Sequence, residues 1–162
     1  MGRKDNRGAL GFDVPAIVEE SYFFEISKVF ARAANITGLK LAPLRIVSRD
    51  YVAMAVLAPV EQAVTQSTLV EDMGISPNVV LAMIDNLDQL GYTRRVQNPQ
   101  NRRENVVLLT KKGRHVYDQA VLLVRQAEEE LLAPLSVGER EQCRALTRKL
   151  YEPSPLHSTN SA

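Results

Sequence analysis

The sequence predicts a mainly α-helical (α+β) fold with one small β-hairpin, and three observations support this prediction. Apolar residues recur at helical spacing along most of the chain. Glycine, proline and hydroxyl residues divide its centre into two short helices joined by a tight turn. Two short apolar strands follow, separated by a polar turn that contains arginine. A helix, a turn, a second helix and a hairpin, in that order, predict a winged helix-turn-helix with a two-stranded wing.

Local start and stop signals place the two central helices. The first is predicted to begin after Thr65, whose hydroxyl can accept a backbone N–H, and to end at Gly74, which tolerates a left-handed backbone. The second is predicted to begin at Ser76, a capping hydroxyl, with Pro77 at the first helical position, and to end at Gly91. The strands of the wing are then predicted at 92–97 and 105–109.

Long amphipathic helices are predicted on both sides of this centre, at about 13–37 and 110–151. Gly38 is expected to end the first of them, and Ser48 to cap a shorter helix before the centre. Thr110 is expected to cap the long helix that follows the wing. Ser136 and Glu139 form a capping box for a last helix, whose buried side is expected to carry Ala145, Leu146 and Leu150.

The apolar stripes of these flanking helices are broader than a small winged helix needs. We therefore expect the helices to pack together and against a second subunit of a two-fold dimer. The alternative is that they complete the core of a monomer. The predicted organisation is a basic tail at 1–11, a single domain at 12–152 with its winged helix at about 60–110, and a polar tail at 153–162.

Charge is strongly segregated, although the net charge is only +1. No Lys or Arg occurs between Arg49 and Arg94, whereas that stretch contains six acidic residues. From Arg94 to Arg114 seven basic residues oppose one glutamate. The basic wing provides the local positive field that favours DNA.

Other features of the sequence restrict the class of protein to which it can belong. The chain has a single cysteine, Cys143, and no apolar run long enough for a signal peptide or a membrane span, so a cytoplasmic protein is expected. His115, His157 and Cys143 form no metal-ligand or nucleophile pattern, and no glycine-rich phosphate loop is present. We therefore expect no enzyme activity, no cofactor and no metal.

Three motifs bring a known family into view. They are Thr65-x-x-x-Leu69-Val70-x-x-x-Gly74-Ile75-Ser76, Asn98-Pro99-x-Asn101-Arg102-Arg103 and Leu109-Thr110-x-x-Gly113-Arg114. This pattern resembles the helix-turn-helix and wing of the MarR transcription regulators, and the resemblance covers roughly Asp13 to Leu150. It implies a homodimer that binds double-stranded DNA, commonly as a repressor released by a small ligand.

The resemblance also indicates which residues contact DNA. The helix that begins at Pro77 is expected to enter the major groove. Asn78 can bridge adenine there, whereas the apolar residues after it can contact thymine methyl groups. Arg103 holds the place of the arginine that the family inserts into the minor groove, and Asn101 stands where an aspartate is usual. The candidate DNA-binding residues are Thr65, Ser67, Ser76, Pro77, Asn78, Val79, Leu81, Ala82, Arg95, Asn101, Arg102 and Arg103.

Two alternatives remain open for these residues. Val79 and Leu81 can face protein rather than bases, and two arginines in a hairpin are often only a solvated turn. A predicted effector site is similarly open. By resemblance, Tyr22, Arg45, Arg49 and Tyr51 can hold a small aromatic acid, with cations for its carboxylate and rings for its body. The alternative is that these arginines are solvated and the tyrosines belong to the core.

The sequence therefore predicts a homodimeric, ligand-responsive repressor that binds a palindromic A/T-rich operator. The alternative is a dimeric winged-helix protein that binds DNA weakly and acts through a protein partner. The absence of Lys and Arg before the wing motivates this alternative.

Overall fold

Six α-helices and three β-strands form the part of the chain that the computed structural model describes, which comprises residues 18, 21–59, 64–98, 101 and 104–151. The helices are α1 (Tyr22–Leu41), α2 (Ser48–Leu57), α3 (Gln66–Met73), α4 (Pro77–Gln89), α5 (Lys111–Leu132) and α6 (Val137–Tyr151). The strands are β1 (Val64–Thr65), β2 (Thr93–Gln97) and β3 (Asn105–Leu109), and a short 3₁₀ helix, Ala42–Leu44, follows α1. This order confirms the predicted winged helix-turn-helix flanked by long helices.

The sheet has one strand more than the sequence predicted. Strands β2 and β3 pair antiparallel as the expected hairpin, with Arg95 opposite Val107. Strand β1 pairs antiparallel with the other edge of β3, so the order is β1-β3-β2. Two residues are too few to show a period-2 pattern, and the pairing joins segments about 40 residues apart. The sheet therefore connects the start of α3 to the wing.

The hydrophobic core lies beneath the helix-turn-helix. Helices α2, α3 and α4 enclose it, β3 closes one side, and the first half of α5 covers another. Its largest fully buried side chains are Leu41, Met54, Leu69, Val80, Ile84, Leu87 and Val107. Because α4 contributes three of these, its other side is left to face outward.

Most of the predicted helix ends are confirmed. The Thr65 hydroxyl accepts the Thr68 N–H at 3.1 Å, and the Thr110 hydroxyl accepts the Gly113 N–H at 2.9 Å. Gly74 and Gly91 have left-handed backbones, with φ of 61° and 71°. The capping box is present, because Ser136 N–H donates to Glu139 Oε2 at 2.8 Å and Glu139 N–H donates to Ser136 Oγ at 3.4 Å.

Three local predictions were wrong. Helix α1 continues through Gly38 to Leu41, since nothing forces this glycine out of the helical conformation. Ser48 is the first residue of α2 rather than its cap, and Asp50 Oδ2 instead accepts the Val47 N–H at 3.0 Å. The Ser76 hydroxyl makes no capping hydrogen bond, although its carbonyl accepts the Val79 N–H at 3.0 Å.

The last helix does not bury the residues that the sequence predicted. Leu146 is 61% exposed and Leu150 is 77% exposed, and α6 contains no buried residue. Helix α1 packs along α5, yet Phe30 is 73% exposed on its other side. The core of one chain therefore does not reach these apolar faces.

Candidate nucleic-acid interface

Helix α4 presents a narrow outward face at its start. Val80, Met83, Ile84 and Leu87 point into the core, as their spacing predicted. The residues between them emerge on the opposite side: Pro77, Asn78 and Ala82 are exposed, Leu81 is 47% exposed and Val79 is half-buried. Leu81 therefore does not belong to the core of the chain, whereas Val79 is shared between the core and the surface.

An open groove of about 360 Å³ runs between α3 and α4 beside this face. Ser67 and Glu71 line it from α3, and Asn78 and Leu81 line it from α4. The other predicted hydroxyls lie at the helix starts: Thr65 is half-buried where it caps α3, and Ser76 is exposed just before α4. Amide, hydroxyl and methyl groups thus converge on one surface, together with one carboxylate.

The surface around α3 and α4 is electrically unusual for a nucleic-acid interface. Residues 50–93 contain no Lys or Arg, and both Glu71 and Asp72 are exposed on α3. Favourable charge here comes only from the backbone amides at the helix starts, which can hold a phosphate without a cation. Positive charge that could attract a nucleic acid therefore lies outside this surface, for example in the segment after α4.

The first cations after α4 lie on opposite faces of strand β2. Arg94 is exposed. Arg95 lies on the same face as the buried Thr93, and its guanidinium contacts two aspartates of α4: Nη1 lies 3.0 Å from Asp88 Oδ2 and Nη2 lies 2.5 Å from Asp85 Oδ1. Of the two, Arg95 is the residue predicted to contact DNA. The alternation of side chains along a strand was the signal that could have separated them.

The tip of the wing is only partly within the described residues. Asn98 N–H donates to Glu104 O at 3.0 Å, and Glu104 N–H donates to Asn101 O at 3.0 Å, so the chain closes a turn between β2 and β3. Asn101 is exposed. The predicted minor-groove residues Arg102 and Arg103 lie outside the described residues, and so do Pro99 and Gln100.

A compact joint connects the wing to the long helix α5. Thr110 N–H donates to Tyr92 O at 2.9 Å, its hydroxyl donates to Gly91 O at 2.7 Å, and Lys112 Nζ donates to Leu90 O at 2.8 Å. At Gly113 a Cβ would lie 1.8 Å from Tyr92 O, so only glycine permits this approach. Helix α4, the wing and α5 are therefore connected rigidly.

The four predicted effector residues do not meet within one chain. Tyr22 opens α1 and is 83% exposed, whereas Arg45 follows the far end of that helix, a rise of roughly 28 Å from Tyr22 to Leu41. Arg45 and Arg49 are exposed near the start of α2. Tyr51 stacks on Tyr117 with ring centroids 6.0 Å apart, and burial, followed by Tyr117 and Glu128, raises the pKa of Tyr51.

Neither a metal centre nor a membrane segment is found among the described residues. No group of three His, Cys, Asp or Glu side chains is arranged there to hold a metal ion. No described helix combines the length and the apolar character that crossing a membrane requires.

Comparison with known proteins places the fold. No protein-family model matches the chain. Crystal structures of MarR from E. coli and of BpsR from Bordetella bronchiseptica superpose with TM-scores of 0.69 and 0.76, at 22% and 20% sequence identity. The MarR superposition covers 86% of this chain and 99% of that one, and the BpsR superposition covers 87% and 100%.

The chain has the MarR fold. The structures thus confirm the fold that the sequence resemblance implied. A curated relative, the HTH-type transcriptional regulator YcgE of Bacillus subtilis, is 30% identical over 89 residues. That match covers 54% of this chain and 50% of YcgE, so the chain spans about half the length of that curated relative. DNA binding by BpsR is regulated by 6-hydroxynicotinic acid.

Proposed function

We propose that the protein is a transcription regulator that binds double-stranded DNA as a homodimer, with the start of α4 in the major groove. The observation that carries this proposal is the outward face of α4, on which Asn78, Leu81 and Ala82 are exposed within a helix-turn-helix followed by a wing. An apolar core residue would be buried, and an ordinary solvated helix would carry charged residues at these positions.

The residues of that face favour an A/T-rich site. The Asn78 amide can donate to N7 and accept from N6 of one adenine, and the Leu81 and Ala82 side chains can contact thymine methyl groups. Arg102 and Arg103, which follow Asn101 in the sequence between β2 and β3, suit the narrow and negative minor groove of such DNA. Thr65, Ser67 and Ser76, together with the amides at the helix starts, would position the phosphates.

Dimerisation is supported by the large apolar residues that the described part of the chain leaves exposed on α1 and α6. On α1 the residues recur at helical spacing, and on α6 nearly every large apolar residue faces solvent. They are Tyr22, Phe23, Ile26, Val29 and Phe30 on α1, and Val137, Leu146, Leu150 and Tyr151 on α6. Exposed large apolar residues in this number mark an interface, and a two-fold axis can bury both sets at once. The two copies of α4, which we call the reading helices, then lie over the two half-sites of a palindromic operator.

We further propose that DNA binding responds to a small aromatic acid and that the protein is a repressor. The similarity to BpsR, whose DNA binding is regulated by such an acid, supports the response to a ligand. Arg45, Arg49 and Tyr51 remain candidates in one chain, because Arg45 and Arg49 are exposed near the start of α2, the helix that also carries Tyr51. Tyr22 is separated from them by the length of α1, so it joins the site only if the dimer brings the two ends together.

A second candidate function is a dimer that binds DNA weakly and acts through a protein partner. The cation-free stretch 50–93 and the exposed Glu71 and Asp72 favour it, because this surface repels phosphates and can attract a basic partner. Titration at two salt concentrations separates the candidates. A regulator that acts through DNA binds its selected site far more tightly than random DNA at both concentrations.

The decisive experiment is selection of double-stranded fragments by the purified protein, followed by anisotropy titration of the recovered site. Asn78→Ala should change the preferred base at one position of each half-site. Leu81→Ala should reduce discrimination between thymine and uracil, which differ only in the methyl group. Asn86→Ala is the matched control, since Asn86 is exposed further along the same helix. Identical base preferences for wild type, Asn78→Ala and Leu81→Ala would refute the proposed reading face.

The effector is tested by calorimetry with phenolic carboxylates and with 6-hydroxynicotinic acid. Arg49→Ala should weaken binding of the acid, and saturating DNA should weaken it by the same factor as the acid weakens DNA binding. Binding that neither DNA nor Arg49→Ala affects would remove this site from the mechanism.

A further inference from the structure

We propose that Arg95 is a positioning residue that locks the wing onto the reading helix, rather than a cation that contacts DNA phosphate. The spacing of residues along α4 and along β2 places Arg95 beside Asp85 and Asp88. Asp85 and Asp88 lie three residues apart on α4, so they share one helix face. Thr93 and Arg95 lie two residues apart on β2, so they share one strand face. The two faces meet.

Both terminal nitrogens of the Arg95 guanidinium group donate a hydrogen bond to an aspartate. Nη1 of Arg95 donates to Asp88 Oδ2 at 3.0 Å, and Nη2 donates to Asp85 Oδ1 at 2.5 Å. The Thr93 hydroxyl donates to the other oxygen of Asp88. A planar fork of this kind holds two carboxylates at a fixed separation, which the single charge of a lysine cannot do.

Burial and charge argue against a phosphate contact. The side chain of Arg95 is 28% exposed and that of Asp88 is 25% exposed. One arginine against two aspartates leaves the cluster with a net negative charge, which repels a phosphate. Arg94, on the exposed face of the same strand, makes no ion pair among the described residues and is the cation of β2 that can reach DNA.

The consequence for DNA binding follows from the need to fill two grooves at once. The reading helix and the wing tip must keep a set distance and angle, and the cluster of Arg95, Asp85 and Asp88 fixes β2 to α4. Without it, DNA binding must also order the wing, and that ordering reduces affinity. This inference rests on the proposed function for its consequence, but the positioning role itself is measurable without DNA.

The DNA-free measurement is amide hydrogen exchange of the wing. Arg95→Ala should exchange about tenfold faster than wild type at Thr93–Gln97, because β2 loses its hold on α4. Arg95→Lys should resemble Arg95→Ala, since one ammonium group cannot engage both aspartates. Arg94→Ala is the matched control and should exchange like wild type. Wild-type exchange in Arg95→Ala or in Arg95→Lys overturns the proposal, whatever DNA binding shows.

Measurement of DNA affinity separates the positioning role from simple electrostatics, because the two predict opposite changes. Asp85→Asn combined with Asp88→Asn removes two negative charges, so simple electrostatics predicts tighter binding of the selected site. The positioning role predicts binding roughly tenfold weaker. It also predicts that Arg95→Ala weakens binding with an unchanged slope of affinity against salt, whereas loss of a phosphate contact lowers that slope by about 0.9.

Tighter binding by the double variant, or a lower slope for Arg95→Ala, overturns the proposal. Weaker binding by the double variant and by Arg95→Ala, with no further loss when they are combined, supports it. Should the wild-type chain bind no selected DNA, the proposed function fails, and the exchange measurement alone still decides whether Arg95 positions the wing.

Discussion

Replacement of Gly113 by alanine tests the joint between the wing and α5, and it should destabilise the chain strongly. A Cβ at this position would lie 1.8 Å from Tyr92 O and 2.7 Å from Tyr92 C. Both are backbone atoms, so no side-chain rotation relieves the overlap. The two segments must separate by roughly 1.6 Å to reach ordinary van der Waals contact.

The size of the effect follows from what that separation disturbs. Three hydrogen bonds cross or cap the joint: Thr110 N–H to Tyr92 O, the Thr110 hydroxyl to Gly91 O, and Gly113 N–H to the Thr110 hydroxyl. Overpacking costs about 1–3 kcal/mol and each lost hydrogen bond about 1 kcal/mol, whereas alanine in place of glycine in a helix returns about 1 kcal/mol. The net loss is on the order of 4 kcal/mol.

Urea unfolding at a fixed protein concentration measures this loss. Gly38→Ala is the matched control, because Gly38 lies in α1 and its added Cβ would have no neighbouring atom within 4 Å. That variant should gain up to about 1 kcal/mol. A Gly113→Ala variant whose unfolding free energy lies within about 1 kcal/mol of wild type would refute the packing argument.

Three further predictions concern stability, the wing and assembly. Burial raises the pKa of Asp50 above its usual 3.8, so stability should fall as pH rises from that value through the raised pKa. Asp50→Asn should abolish this dependence of stability on pH, as measured by unfolding at several pH values. Asp50→Ala should also remove the hydrogen bond from Val47 N–H that caps α2, which lowers the free energy of unfolding by about 1 kcal/mol. Arg103→Ala should weaken operator binding by about 1–3 kcal/mol and reduce its salt dependence, and unchanged affinity in titration would exclude the wing. Leu146→Glu should give monomers or aggregates in sedimentation, and a wild-type monomer at micromolar concentration would contradict the dimer.

The predictable features of this fold were those encoded within a few residues. Thr65, Thr110 and the Ser136–Glu139 pair act on backbone groups three residues away, so spacing alone located the helix starts. Gly74 and Gly91 were predicted for the same reason. The mainly α fold with its wing followed from the order of these signals.

The features that sequence could not locate depend on segments meeting in space. Strand β1 is recognisable only from its pairing with β3. The ion pairs of Arg95 are recognisable only once β2 is seen to lie against the aspartates of α4. The resemblance to a DNA-binding family made Arg95, Arg102 and Arg103 candidate DNA contacts, whereas Arg94 was not selected. Strand alternation places Arg94 and Arg95 on opposite faces of β2, and Arg95 is the one that contacts α4.

Under the proposed function, the distribution of charge assigns the selection of bases and the affinity for DNA to different segments of the chain. The start of α4 offers Asn78 and apolar side chains, and residues 50–93 carry no cation that could release counterions from DNA. The basic residues instead follow α4, between Arg94 and Arg114. Affinity from the wing can therefore favour the correct site only if the wing and α4 move as one body. A rigid connection between β2 and α4 is thus more important here than in a protein whose reading helix carries its own cations.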